Sequence, residues 1–290
     1  MHALIEQLLA AGAVITDGAW GTQLQSRGLP VGACPDLWNT SQPAQVEAVA
    51  RAYVEAGSQI ILTNTFGANR FVLGRHGAAD QARAVNTAGV EISRRAAAGR
   101  ARVFASIGPS GLMLMMGQVT EADLLAAFTE QARAMAEAGA DGLVIETMSD
   151  PAEAVVAVTA ACTTGLPVVA CMVFDSGKDH DRTMMGTTPE QAAKLLLAAG
   201  ADVVGSNCGQ GAAGFLPICR RLHAATARPV WIKPNAGLPE MIDGQTVYAQ
   251  SPAEFAALLP SLVEAGAGFL GGCCGTNPDF IRAVRERLCA

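Results

Sequence analysis

Short apolar runs recur along this chain, separated by longer alanine-rich stretches in which apolar residues return with helical spacing. The runs fall at 13–16, 59–63, 103–107, 142–146, 168–173, 202–205, 230–233 and 268–270. Residues 43–56 are typical of the helical stretches, and Met1–Gln7 reads as a short amphipathic helix. Gly57, Gly139, Gly200 and Gly266 each stand where a helix should stop just before a strand. Eight strands, each followed by a helix, predict an α/β fold, a (β/α)8 TIM barrel, which takes about 250 residues. No Ser/Pro-rich linker or charge run divides the chain, so residues 1–290 are expected to form one domain. A doubly wound sheet would want a dinucleotide-type glycine turn after the first strand, and Gly18-Ala19-Trp20-Gly21 lacks that spacing.

In such a barrel the loops leaving the C-terminal ends of the strands build the site. Polar residues gather at those ends: Asp17, Asn64, Glu146, Asn207-Cys208, Asn235 and Cys273-Cys274. The cysteine pair sits in Gly271-Gly272-Cys273-Cys274-Gly275, and Cys208 lies in similar surroundings after the sixth strand. Three thiolates meeting at two neighbouring loops would make a zinc site with its fourth position open. Cys208 alone would read equally well as a buried thiol. Adjacent cysteines cannot both face one side of a regular strand, and a disulfide between them would be strained. Two other readings stay open at this point. One is a barrel enzyme that grips a substrate phosphate at Gly271-Gly272 without zinc, and the other is a non-catalytic thiol or zinc sensor.

Composition narrows the classes. Half of the 290 residues are hydrophobic, and a net charge of −6 argues against nucleic acid or a membrane surface as partner. No apolar run approaches the length of a membrane span, and the N-terminus lacks the basic start of a secretion signal. A cytoplasmic location is expected, and the eight scattered cysteines do not suggest a disulfide framework. Cys162, Cys171 and Cys219 read as buried small apolar residues, while Cys34 and Cys289 receive no role. His2, His76, His180 and His223 show no metal-pair spacing, and Lys233 has no acid–base pattern around it. The run Leu112–Met116 reads as packing, in a loop that could also line the approach of a methyl donor.

Four motifs together carry a family resemblance: Asp17-Gly18-Ala19-Trp20-Gly21-Thr22, Thr63-Asn64-Thr65-Phe66-Gly67-Ala68-Asn69, Asn207-Cys208-Gly209 and Gly271-Gly272-Cys273-Cys274-Gly275-Thr276. With them the chain resembles the zinc-dependent homocysteine S-methyltransferases, a family that includes the homocysteine domain of cobalamin-dependent methionine synthase and betaine–homocysteine methyltransferase. The segment Pro234-Asn235-Ala236-Gly237-Leu238-Pro239 looks most like the methionine synthase branch. The resemblance implies that Cys208, Cys273 and Cys274 hold zinc and that the homocysteine sulfur takes the open position, giving methionine after methyl transfer. It implies that Glu146 receives the substrate ammonium with help from Asp17, and that amides around Gly18, Ala19 and Trp20 hold its carboxylate. Asn64 is counted with these substrate contacts. Without the resemblance, Asp17-Gly18 would be a tight turn and Glu146 a salt bridge at a strand end. Asn235 is expected either to fill the fourth zinc position when substrate is absent or to cap the turn before Gly237. The stretch after Cys274 looks too short for a folate or corrinoid module. The donor is therefore expected to be a methyl-corrinoid on a separate protein, or a small onium compound such as betaine or S-methylmethionine.

Overall fold

The computed structural model describes residues 1–242 and 245–288, which leaves Cys289 outside the described residues. Its strands are β1 (Val14–Ile15), β2 (Ile60–Ile61), β3 (Arg102–Ile107), β4 (Gly142–Met148), β5 (Val168–Met172), β6 (Val203–Gly211), β7 (Val230–Asn235), β8 (Pro239–Ile242), β9 (Gln245–Tyr248) and β10 (Ala267–Leu270). Eight of them form one parallel sheet in the order β1-β10-β7-β6-β5-β4-β3-β2. The last seam, between β1 and β2, is closed through Gln59. Its N–H donates to the Ile15 carbonyl and its Oε1 accepts from the Ile15 N–H, both at 2.8 Å. The chain is thus a (β/α)8 TIM barrel, as the alternation predicts, with helices such as Pro43–Ala56, Glu121–Glu137 and Pro278–Leu288 packed outside.

Local chemistry sets the helix ends. Thr120, Thr188 and Ser251 each form a capping box at a helix start. The four glycines expected to stop helices all take positive φ.

Alternation along the strands sorts the core into two layers. Val14, Ile60, Phe104, Val144, Val169, Cys171, Val203, Trp231 and Phe269 cluster inside the barrel, whereas their strand neighbours pack against the helices. Trp231 occupies the centre. It stacks on Phe269 at 5.1 Å and on Phe104 at 6.2 Å between ring centroids. Ile5 of the helix Ala3–Leu9 joins this inner cluster, with Leu4, Leu8 and Leu9 against it, so the N-terminal helix plugs the lower end of the barrel. The site is left to the other end.

Three features at that end are not visible as periodicity. Strands β8 and β9 form an antiparallel hairpin inside the loop after β7, each too short to show alternation. The register of β4 on β5 shifts between Ile145 and Met148, and that of β6 on β7 shifts between Asn207 and Gly211. Thr147 (φ 61°) and Cys208 (φ 65°) sit in these irregularities in left-handed conformation, at a cost of about 1–3 kcal/mol each.

Replacing Trp231 by Ala should empty the barrel centre and lower stability by about 3–5 kcal/mol, read from the denaturant midpoint. An unchanged midpoint would contradict this account of the core.

Candidate active site

The barrel brings Cys208, at the bend in β6, beside Cys273 and Cys274 in the loop after β10. Their sulfurs all lie within 4.8 Å of one another, and Cys208 and Cys274 are 3.9 Å apart. Tetrahedral zinc with bonds of about 2.3 Å to sulfur sets neighbouring sulfurs roughly 3.8 Å apart, so the cluster has the size that ion needs. Adjacent cysteines can point the same way because the backbone turns there. The Thr276 N–H closes a turn onto the Cys273 carbonyl, while Cys273 N–H donates to Pro234 and Ala236 N–H donates to Cys274. These bonds lace the loop to the end of β7.

Two neighbours complete this corner. Asn235 is buried at 3% exposure and turns its amide group to Cys208, while its Oδ1 has no hydrogen-bond partner. An orphaned carbonyl oxygen beside three thiols suits a cation as its missing partner. Tyr248, delivered by the hairpin, reaches Cys274 with its hydroxyl. Its ring lies so close to Gly275 that a Cβ there would come within 2.3 Å of it. No sequence signal marked Tyr248.

The thiols are not equivalent. Hydrogen bonds from Cys273 and Cys274 push the Cys208 pKa down, against burial. The same contacts, with burial and the neighbouring charge, push Cys273 and Cys274 up. Without a cation the cluster readily gives up one proton, and a divalent ion would draw off the other two.

Beside the thiols lies a second cluster, of charged groups. Glu146 is 8% exposed, and its carboxyl accepts from Ser106 Oγ through Oε1 and from Asn207 Nδ2 through Oε2 at 3.5 Å. Burial raises its pKa, while Lys233 and the Ser106 hydrogen bond oppose the rise. Asp17 is fully buried. Its Oδ1 meets Lys233 Nζ at 2.5 Å, and its Oδ2 accepts from Trp20 Nε1 and the Leu62 N–H at 2.7 Å each. Burial works against the Lys233 ammonium, but Asp17 and Glu146 outweigh it and hold its pKa above the ordinary value. The partner of Lys233 stands 216 positions away in sequence, which is why local pattern left this lysine without one.

The other expected contacts are placed as follows. Ala19 N–H donates to Thr276 Oγ1 at 3.1 Å, whereas the N–H groups of Gly18 and Trp20 have no partner among the described residues. Gly18 lies against Thr276 and Tyr53, where a Cβ would come within 2.8 Å of both side chains. Asn64 is buried in the wall, donating to the Pro35 carbonyl at 2.8 Å and to Asn39 Oδ1 at 3.0 Å, which ties the first two loops together. Gly271 and Gly272 are filled from within by Thr16, Asp17 and Thr276. That leaves no cradle there of the kind a phosphate needs. Cys171 and Cys219 are buried as expected, while Cys162 is half-buried. His2 caps the first helix through Nδ1, and His223 Nδ1 meets the Arg228 carbonyl.

Comparison with known proteins places this geometry among relatives. Residues 14–288 match the family described as Homocysteine S-methyltransferase. Methionine synthase of Mycobacterium leprae is 33% identical over 296 residues, covering 96% of this chain and 24% of that protein. The Mycobacterium tuberculosis methionine synthase is likewise 33% identical, with 96% of this chain and 25% of that protein covered. The chain thus spans about a quarter of the length of these curated relatives. The fold matches the metallated form of the homocysteine methyltransferase MmuM from Escherichia coli with a TM-score of 0.79 at 24% identity, over 95% of this chain and 96% of that one. No described helix is long and apolar enough to cross a membrane.

Lys233→Met should strand the buried Asp17 charge and lower stability by about 3–5 kcal/mol, whereas Lys233→Met with Asp17→Asn should recover much of the loss. Chemical denaturation of the two variants checks this. Equal losses in both would show that the ion pair does not govern stability.

Proposed function

The chain belongs to the homocysteine S-methyltransferase family, and we propose that it methylates homocysteine to methionine at a zinc ion held by Cys208, Cys273 and Cys274. The observation that carries this reading is the convergence of three thiols from two loops, at zinc spacing, beside an orphaned Asn235 oxygen. Zinc held there would bring the acceptor thiol from its ordinary pKa of about 8.5 into the neutral range, where the nucleophilic thiolate predominates.

The chain's own residues supply orientation and charge. Glu146 holds the acceptor ammonium, with its carboxylate aimed by Ser106 and Asn207. Asp17 contributes by fixing Lys233 and Trp20, since both its oxygens are engaged within the chain. The N–H groups of Gly18 and Trp20 face the acceptor carboxylate, and Thr276 steadies Ala19 between them. Asn64 shapes the wall. Asn235 Oδ1 serves the cation when no acceptor is present, and residues 1–290 act as one homocysteine-binding domain. Seven free described cysteines and a site that needs reduced thiols fit the cytoplasm.

The donor arrives across the rim. Phe66, Met115, Met116, Met184, Leu238 and Val247 are exposed apolar side chains, all on loops leaving the upper ends of the strands. Such a surface favours a methyl-corrinoid carried on another protein or domain over a small onium compound such as betaine or S-methylmethionine.

Cys208→Ala and Cys273→Ser should each abolish zinc retention and turnover. Full activity without bound zinc in either variant would overturn the proposal. Glu146→Gln should raise KM for homocysteine roughly tenfold or more, the worth of a hydrogen bond to a charged group, with zinc content unchanged. An unchanged KM would return Glu146 to a structural role.

A further inference from the structure

On either side of β5, β4 and β6 leave regular pairing through Thr147 and Cys208, both left-handed and neither glycine. A β-branched residue holds such a conformation only where its surroundings determine it. Here one side chain does so. Asn207 is 1% exposed and reaches over the end of β5, where its Oδ1 accepts from the Thr147 N–H at 2.8 Å. Its Nδ2 donates to Thr147 Oγ1 at 2.7 Å and lies 3.5 Å from Glu146 Oε2 and 3.9 Å from Cys273 Sγ. Its main chain runs directly into Cys208. One short amide therefore touches the backbone after Glu146, the Glu146 carboxylate and one thiol of the cluster, and it leads into another.

We propose that Asn207 is a positioning residue that couples Glu146 to the three cysteines, so that one side chain sets both acceptor binding and metal retention. This inference builds on the function proposed above. Satisfying the Thr147 N–H needs only an acceptor, which Asp would also supply. The Nδ2 group adds what Asp lacks: a donor placed among a carboxylate, a hydroxyl and a thiol. Asp at this position would instead set a second anion against Glu146 and the cluster. Asn207→Asp thus keeps the acceptor for the Thr147 N–H while it removes the donor and adds a charge.

The test uses the full chain loaded with zinc. Calorimetric titration with homocysteine and the rate of zinc release to a competing chelator are measured for the wild type, Asn207→Asp, Asn207→Ala, Glu146→Gln and Glu146→Gln/Asn207→Asp. Asn207→Asp should weaken both homocysteine binding and zinc retention, while the thermal midpoint of the metal-free chain stays near that of the metal-free wild type. The loss in zinc affinity should be roughly tenfold to a hundredfold, as for other groups that orient metal ligands. In the Glu146→Gln background the effect on homocysteine should largely vanish, because the Gln amide can donate to the new Asp. Equal effects of Asn207→Asp in both backgrounds, or unchanged zinc release, would overturn the inference. Asn207→Ala, which also removes the backbone bond, should lose at least as much as Asn207→Asp, and a milder loss would count against the inference. A wild-type chain that takes up zinc but no homocysteine would instead overturn the underlying function, and the inference with it.

Discussion

Strands β6 and β10 flank β7 in the barrel, which sets the end of β6 against the loop after β10, and everything proposed for this chain depends on that contact. Two adjacent thiols and a third that stands 66 residues before Cys274 meet there, with two sulfurs 3.9 Å apart and a buried carbonyl oxygen beside them lacking a partner. Thiols alone gain little from such crowding, since each added thiolate raises the cost of the next. A cation reverses the balance. The bend at Cys208 serves the same contact, because in a regular strand its side chain would share the helix-facing side with Val204 instead of facing the mouth.

Around this corner the charges are arranged so that only some remain for a substrate. Asp17 and Lys233 neutralise each other in the floor, and Asp17 uses its second oxygen to hold Trp20 and β2. Of the two carboxylates at this corner, Glu146 is left without an ion pair of its own, supported by Ser106 and Asn207. One uncompensated carboxylate beside three sulfurs is the complement expected for a molecule carrying one ammonium and one thiol. The apolar rim above is where the proposed donor would arrive.

Much of this was legible in the sequence because the information was local. Eight apolar runs with glycine-terminated helices between them specify a barrel, and the barrel alone brings Asp17, Glu146, Cys208 and Cys273 to one rim. What escaped was made by strand neighbours distant in sequence or by backbone irregularity. The Lys233–Asp17 pair joins strands at opposite ends of the chain. The hairpin that delivers Tyr248 is built of four-residue strands, too short for a periodic signal. Asn207 reads as one polar residue before a cysteine until the register shifts of β4 and β6 turn its amide across β5. Asn64, by contrast, was placed at the right strand end, but its neighbours in the first loop engage its side chain. Position along a strand tells which rim a residue occupies, and only packing tells which way it serves.

Zinc-edge X-ray absorption tests the central claim most directly, on protein purified without added metal, before and after homocysteine is supplied. The account predicts bound zinc with three sulfur neighbours at about 2.3 Å, rising to four when homocysteine is present. A metal-free protein, or zinc whose sulfur count does not change on adding homocysteine, would contradict it.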